Sequence, residues 1–310
     1  MPNYRTALLF VLIAAIWGTS FTAIKAGLDF FPPVLFAAFR YDIAGVLVLV
    51  YAAGVTDRWR PRNRDEWLLV GVGGVLLVAA YHAFLFVGEQ DTTSAAAAII
   101  VSLSPVLTTG FARVLLPDER LTVVGILGLL TGFVGVAVLS YPAEGPLLTG
   151  STVAKLLVFA AAASFALGSV LTRRIDTRLP VETMEAWSMV LGAVLLHVAS
   201  AGLGETLGAV RWTSEAMGSL LYLALVASAV GFLLYFVLLD RIGPIQINLV
   251  SYAAPAAAAA TGFVVLGETP TVRTALGFVI ILLGFGLLKR NAIRDSLTSP
   301  RSGSPQGRTE

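Results

Sequence analysis

The chain has 310 residues, 57% of them apolar and 13% charged, with a mean hydropathy of +0.84. Soluble domains carry roughly 45–50% apolar residues and about 25% charged ones, so this composition excludes a water-soluble globular protein. The 21 Lys and Arg against 19 Asp and Glu are too balanced for a nucleic-acid partner, and the absence of Cys removes disulfides, thiolate catalysis and Cys-ligated metals.

In chain order, apolar runs occupy residues 7–28, 33–53, 67–88, 93–115, 121–140, 152–173, 182–202, 217–239, 246–266 and 273–289. Each is near the length that crosses roughly 30 Å of hydrocarbon at about 1.5 Å per residue. The first is too long for a signal-peptide core and precedes no small-residue cleavage site, so a retained helix is expected. Hydrocarbon offers the backbone no hydrogen-bond partner, and a helix satisfies its own. The expected fold class is an all-α integral membrane protein with ten transmembrane helices. Residues 291–310 are polar, aperiodic and rich in Ser, Pro and Gly, which predicts a disordered cytoplasmic tail.

The cationic residues fall unevenly about these runs. With a cytoplasmic N-terminus, sixteen lie inside, Arg58, Arg60, Arg62, Arg64, Arg173, Arg174 and Arg178 among them, and four lie outside: Lys25, Lys155, Arg211 and Arg273. Arg40 alone sits within a run. Cytoplasmic loops carry the excess of Lys and Arg, so the expectation is a multi-pass plasma-membrane protein with both termini in the cytoplasm.

Sliding the chain against itself by about 150 residues brings Pro105 onto Pro255, Phe86 onto Phe236, Glu119 onto Glu268, Gly135 onto Gly284 and Trp17 onto Phe165. Residues 1–145 and 146–290 therefore read as two five-helix repeats. Five is odd, so the second copy is expected upside down, the inverted repeat of secondary transporters. Helix 1 carries the run Trp17-Gly18-Thr19-Ser20-Phe21, helix 2 the pair Phe39-Arg40, and helices 4 and 9 a proline near their middles. The turns Asp118-Glu119-Arg120-Leu121-Thr122 and Gly267-Glu268-Thr269 come after those two helices. Together these features resemble the EamA-type transporters of the drug/metabolite transporter superfamily over residues 5–290. That resemblance implies alternating-access transport of a small metabolite, often export, with helices 1, 3, 4, 6, 8 and 9 around a central cavity. It implies no particular substrate. The extra residue in Pro117-Asp118-Glu119 makes the two turns only approximately equivalent.

Within the runs, Pro105 and Pro255 each remove a helical hydrogen bond, freeing the carbonyls of Val101 and Ser251, and are expected to act as hinges. Asn248, Ser251, Tyr252 and Pro255 share one helical face, as do Ser102, Pro105 and Thr109. Two such faces read either as a broken-helix substrate site or as ordinary hydroxyls bonding their own backbone. Arg40 and His82 lie six or seven residues in, roughly 10 Å deep. A deep charge must face protein, water or an anion, so Arg40 is either a contact for a substrate carboxylate or phosphate or a structural lock onto carbonyls. Asp42 is the one carboxylate read as well inside a span. It is a proton-coupling candidate with His82, or a paired structural Asp; His197 reads as packing. Lys25 stands at a cavity mouth or pairs with Asp29 four residues on. Ser228 and Tyr235 are further candidates, and Gly125, Gly128, Gly132 and Gly135, echoed by Gly277 and Gly284, mark close helix packing within or between monomers.

The expected substrate-binding set is Trp17, Arg40, Tyr81, Ser102, Asn248, Ser251 and Tyr252, with Asp42 and His82 for coupling. The sequence has no G-x-S-x-G, H-E-x-x-H or P-loop motif, so the expectation is a secondary-active exporter rather than an enzyme, without cofactor or metal. A passive channel and an intramembrane hydrolase are the alternatives. The expected partners are a small-molecule substrate of amino-acid or organic-acid type, a coupling proton or cation, and the lipid bilayer.

Overall fold

The computed structural model describes residues 4–116, 123–141, 149–247 and 249–298. These form ten helices and, among the described residues, no strand: α1 (Tyr4–Gly27), α2 (Pro33–Val55), α3 (Arg64–Glu89), α4 (Ser94–Leu115), α5 (Val123–Ser140), α6 (Gly150–Arg174), α7 (Val181–Gly202), α8 (214–247), α9 (Val250–Leu266) and α10 (Val272–Thr298). Eight are long and apolar enough to cross a membrane; α9 and the apolar part of α10, Val272–Leu287, are shorter. The protein is a multi-pass helical membrane protein. The expected 291–310 tail lies partly outside the described residues; backbone from 291 to 298 continues α10.

Local chemistry sets the helix ends. Asn63, Thr93, Thr149 and Thr213 each accept a hydrogen bond from the main-chain N–H three residues on, at 2.9, 3.2, 3.3 and 3.2 Å, replacing a partner that the first helical turn lacks. Pro32 and Pro180 precede α2 and α7. Gly267, at φ 68°, closes α9, and the N–H of Glu268 then returns to the Gly262 carbonyl at 3.0 Å.

Three helices are irregular inside. α4 breaks at Ser102–Leu103, so that Pro105 stands in the first turn of its second segment. α3 and α8 each contain a π-helical stretch, Gly73–Ala80 and Tyr222–Val230. Pro255, by contrast, lies inside an uninterrupted α9.

The core lies where α1, α2, α3, α4, α6, α7 and α8 meet, around Phe36, Phe86, Ile24, Ile100, Leu196 and Leu223. α1 packs on α9 and α6 on α4; α3 packs on α7 and α8 on α2; α2 meets α7, and α5 meets α10. Glycine allows the closest approaches. A Cβ at Gly18 would lie 2.3 Å from the Ala254 carbonyl oxygen, and one at Gly284 would lie 2.7 Å from that of Gly128. The glycine stripes of α5 and α10 thus face each other within one chain. The opposite faces, with Ile126, Leu130 and Val134 on α5 and Val279 and Leu283 on α10, are exposed apolar surface that suits lipid.

Hydrogen bonds gather the connections into two ends. At one, Arg211 N–H donates to the Phe30 carbonyl (2.9 Å) and Arg273 Nη1 to that of Tyr141 (3.3 Å). The Glu205 carboxylate accepts from Val34 N (3.1 Å), Leu35 N (2.7 Å) and Ser200 Oγ (2.7 Å), capping α2 from the α7–α8 connection. Lys25 belongs to this end: its Nζ donates to the carbonyls of Glu89 (2.9 Å) and Gln90 (2.7 Å). The i, i+4 pair with Asp29 is therefore replaced by a cap on the last turn of α3, where unpaired carbonyls favour a cation. At the other end, Arg58 Nη1 donates to the Arg178 carbonyl (2.9 Å), Thr183 Oγ1 to that of Arg58 (3.0 Å) and Trp187 Nε1 to that of Trp59 (2.8 Å).

Candidate functional site

A polar cluster sits between α2, α3 and α8. Arg40, 6% exposed, donates from Nε to Ser228 Oγ at 2.9 Å, and its guanidinium carbon stands 5.3 Å from the centre of the Tyr41 ring. No acceptor is described for its two terminal nitrogens. Tyr41 donates from its hydroxyl to His82 Nε2 at 2.8 Å, and His82 Nδ1–H donates to the Val78 carbonyl at 2.9 Å. Both ring nitrogens are therefore satisfied in the neutral tautomer. The Val78 carbonyl lies in the π-helical stretch of α3 and accepts the Tyr81 main-chain N–H as well as the His82 ring.

The second π-helical stretch is used the same way. Trp17 donates from Nε1 to the Ala227 carbonyl of α8 at 3.2 Å and lies against Tyr235 (ring centres 5.5 Å apart) and Phe232 (6.1 Å). On α3, the Leu76 carbonyl accepts from Ser164 Oγ of α6 at 2.8 Å. Tyr81 extends the aromatic wall, 4.5 Å from the His82 ring and 5.4 Å from Phe165, within electrostatic reach of Arg40 and Tyr41. Arg40, Tyr41, Tyr81, His82, Trp17 and Ser228 thus line one polar, aromatic zone. Glu185, half-buried near the start of α7, acts electrostatically on Tyr41 and Tyr235 from the side of the Arg58 end.

The remaining expected residues are placed differently. Asp42 turns away from this zone and pairs with His197 Nε2 at 2.8 Å; the two side chains are 43% and 41% exposed. Asp42 thus meets His197 and, among the described contacts, not its expected partner His82: Arg40 and Asp42, two apart on α2, point to nearly opposite sides, and Arg40 takes the side of Ser228. The structure likewise gives His197 a carboxylate partner. Ser102 donates its hydroxyl to the Ile99 carbonyl at 2.6 Å, Ser104 to Val101 at 2.7 Å and Thr109 to Pro105 at 2.9 Å. The carbonyl expected to be free at Val101 is therefore satisfied by its own helix. Tyr252 lies against Phe285 of α10 with ring centres 4.4 Å apart, its hydroxyl buried without a partner among the described residues. Ser251 is half-buried on α9, and Asn248 lies outside the described residues. No described contact joins Ser102, Ser251 or Tyr252 to Arg40.

Sequence reasoning passed over Tyr41, Glu89 and Glu185. Tyr41 adjoins Arg40, and its hydroxyl is the polar reach that a neighbouring histidine needs. The two glutamates sit within a turn of helix ends, where a carboxylate ordinarily meets water.

Residues 5–141 and 152–290 each match the EamA-like transporter family. The chain belongs to that family. Among relatives of this EamA-like protein, the uncharacterized transporter YvbV of Bacillus subtilis (strain 168) is 28% identical over 93% of this chain and 92% of its own. The uncharacterized inner membrane transporter YedA of Escherichia coli (strain K12) is 31% identical over 82% of this chain and 80% of its own. A solved crystal structure superposes with a TM-score of 0.64 at 23% identity, covering 96% of this chain and 99% of that one; at that identity the likeness speaks for the fold. Family and relatives point to a membrane transporter rather than an enzyme.

Proposed function

We propose that this EamA-family protein is a secondary-active exporter that moves a small polar metabolite with an anionic group, of amino-acid or organic-acid type, by alternating access. The observation that carries the reading is Arg40: a permanent cation, buried among helices, anchored among the described residues through Nε and set beside the Tyr41 ring. An anionic group on the terminal nitrogens would complete its solvation. Trp17 and Tyr81 offer apolar surface beside it. Ser251 and Tyr252 remain candidates for a second wall from α9, and Asn248 remains a candidate by its place in the sequence.

The pairing of helices supports two five-helix units in inverted orientation. Exchanging the halves turns the α1–α9 contact into α6–α4 and the α3–α7 contact into α8–α2, and it carries one π-helical stretch onto the other. The grouping of Arg58, Arg60, Arg62, Arg64, Arg173, Arg174 and Arg178 near one end supports placing that end, and both termini, in the cytoplasm.

The test is flux into proteoliposomes with a panel of labelled amino acids and organic acids. Saturable flux that the unlabelled compound accelerates from the opposite side identifies a carrier. Arg40→Gln should lower flux of the anionic compounds about ten- to a hundredfold per molecule, since hydrogen bonds to charged groups contribute about 1.5–3 kcal/mol. If Arg40→Gln lowers only the amount of folded protein, Arg40 is structural and the anionic preference fails.

A further inference from the structure

The zone around Arg40 leaves one buried acid unused. Glu89 ends α3 with no exposed surface, and neither of its carboxyl oxygens has a hydrogen-bond partner among the described residues. Thr92, in the turn between α3 and α4, is also buried with its hydroxyl unpartnered among those residues. The charged and titratable groups facing Glu89 are Lys25 from α1, Glu268 from the α9–α10 connection, Arg40 from α2 and Tyr81 on α3 itself. None of them meets the carboxyl directly. Lys25 is held on the carbonyls of Glu89 and Gln90, and the Glu268 carboxylate accepts from Ser94 N at 3.0 Å and Ser94 Oγ at 3.4 Å.

An ionised carboxylate without water or hydrogen bonds is far costlier than an unpartnered neutral carboxyl. The same side chains clasp this end of the bundle: Lys25 ties α1 to α3, and Glu268 ties the α9–α10 connection to the start of α4. Parting those helices would admit water and release Lys25 from the carbonyls, which makes an ionised Glu89 paired with Lys25 the favoured arrangement. We propose that Glu89 is a proton-binding site linked to opening at the Lys25 end: the carboxyl holds a proton while that end is closed and gives it to water, leaving a carboxylate, when it opens. The proposal rests on the transport reading above; the proton leaves and returns at the Lys25 end, so it governs opening there and carries no net proton across the membrane.

Full-length protein in phosphatidylethanolamine and phosphatidylglycerol vesicles allows two measurements. Glu89→Gln is nearly isosteric with the protonated acid, so the fold should survive. The infrared spectrum of the wild type at neutral pH should contain a neutral-carboxyl C=O band that Glu89→Gln lacks and Glu89→Asp retains at a shifted position. Absence of that band, or its persistence in Glu89→Gln, overturns the proposal. With any panel compound that the wild type exchanges, the exchange rate should depend on the pH at the Lys25 end, and Glu89→Gln should exchange at the wild type's low-pH rate at every pH. A pH dependence of exchange that persists in Glu89→Gln, or that is lost instead in Asp42→Asn, overturns the proposal too. If the wild type exchanges no panel compound, the transport reading fails, while the infrared band still decides for or against a proton on Glu89.

Discussion

The buried Arg40 guanidinium carries more donors than Ser228 can satisfy. Trp17 and Tyr252 show the same accounting in neutral groups. The Trp17 indole N–H has the Ala227 carbonyl as its acceptor, whereas the Tyr252 hydroxyl is buried with no described partner. Trp17→Phe should therefore cost about 1–3 kcal/mol, the range for leaving a buried group unpaired, while Tyr252→Phe should be neutral or slightly stabilising. Thermal unfolding in detergent reads the difference, and a Tyr252→Phe protein that melts below Trp17→Phe would show that these partners are misassigned. The residue types in this zone were legible in the sequence, because Arg40 and His82 stand out in an apolar run. Their pairing was not: Ser228 was a candidate by type and Tyr41 was passed over, and only packing shows that the first faces Arg40 and the second His82.

Among the elements, the two prolines separate a broken helix from a continuous one. Pro105 opens the second segment of α4, after a break at Ser102–Leu103 closed by the hydroxyls of Ser102 and Ser104. Pro255 sits in an unbroken α9 at the place where Gly18 of α1 comes closest. Pro105→Ala restores an N–H that allows α4 to straighten, so it should lower flux per folded molecule more than Pro255→Ala does. Equal flux in both variants, at wild-type abundance, would remove the break in α4 from the mechanism. The sequence marked both prolines alike, because a missing N–H is visible in the chain while its accommodation depends on neighbouring hydroxyls and helices. The π-helical stretches of α3 and α8 carry no such mark. Gly73–Ala80 and Tyr222–Val230 are plain apolar segments, and only the folded bundle brings Ser164 and Trp17 to their carbonyls.

For the whole molecule, the bundle has one end tied by Lys25, Glu205 and Arg211 and another tied by Arg58, Thr183 and Trp187. The natural absence of Cys makes single cysteines informative. Exposed Arg64 and Ser151 stand at opposite ends of the chain's up-and-down path. An impermeant thiol reagent applied to intact cells should label Ser151→Cys and spare Arg64→Cys; the reverse pattern would invert the orientation.

The sequence by itself determined the helical class, the number of apolar helices, the segregation of arginine between connections and most helix limits to within a few residues, though α8 and α10 run on to 247 and 298 past the expected ends at 239 and 289. It could do so because hydropathy is read along one dimension and a helix is the form that satisfies its own backbone in hydrocarbon. Tertiary structure alone decided which polar groups meet: Trp17 with Ala227, 210 residues away, Arg40 with Ser228, 188 away, and Asp42 with His197, 155 away. It also turned the glycine stripes of α5 and α10 toward each other within one chain. Helical periodicity says which residues share a face, but the neighbour of that face is set by packing of all the helices together, and a hydrogen bond exists only where two such faces close to about 3 Å.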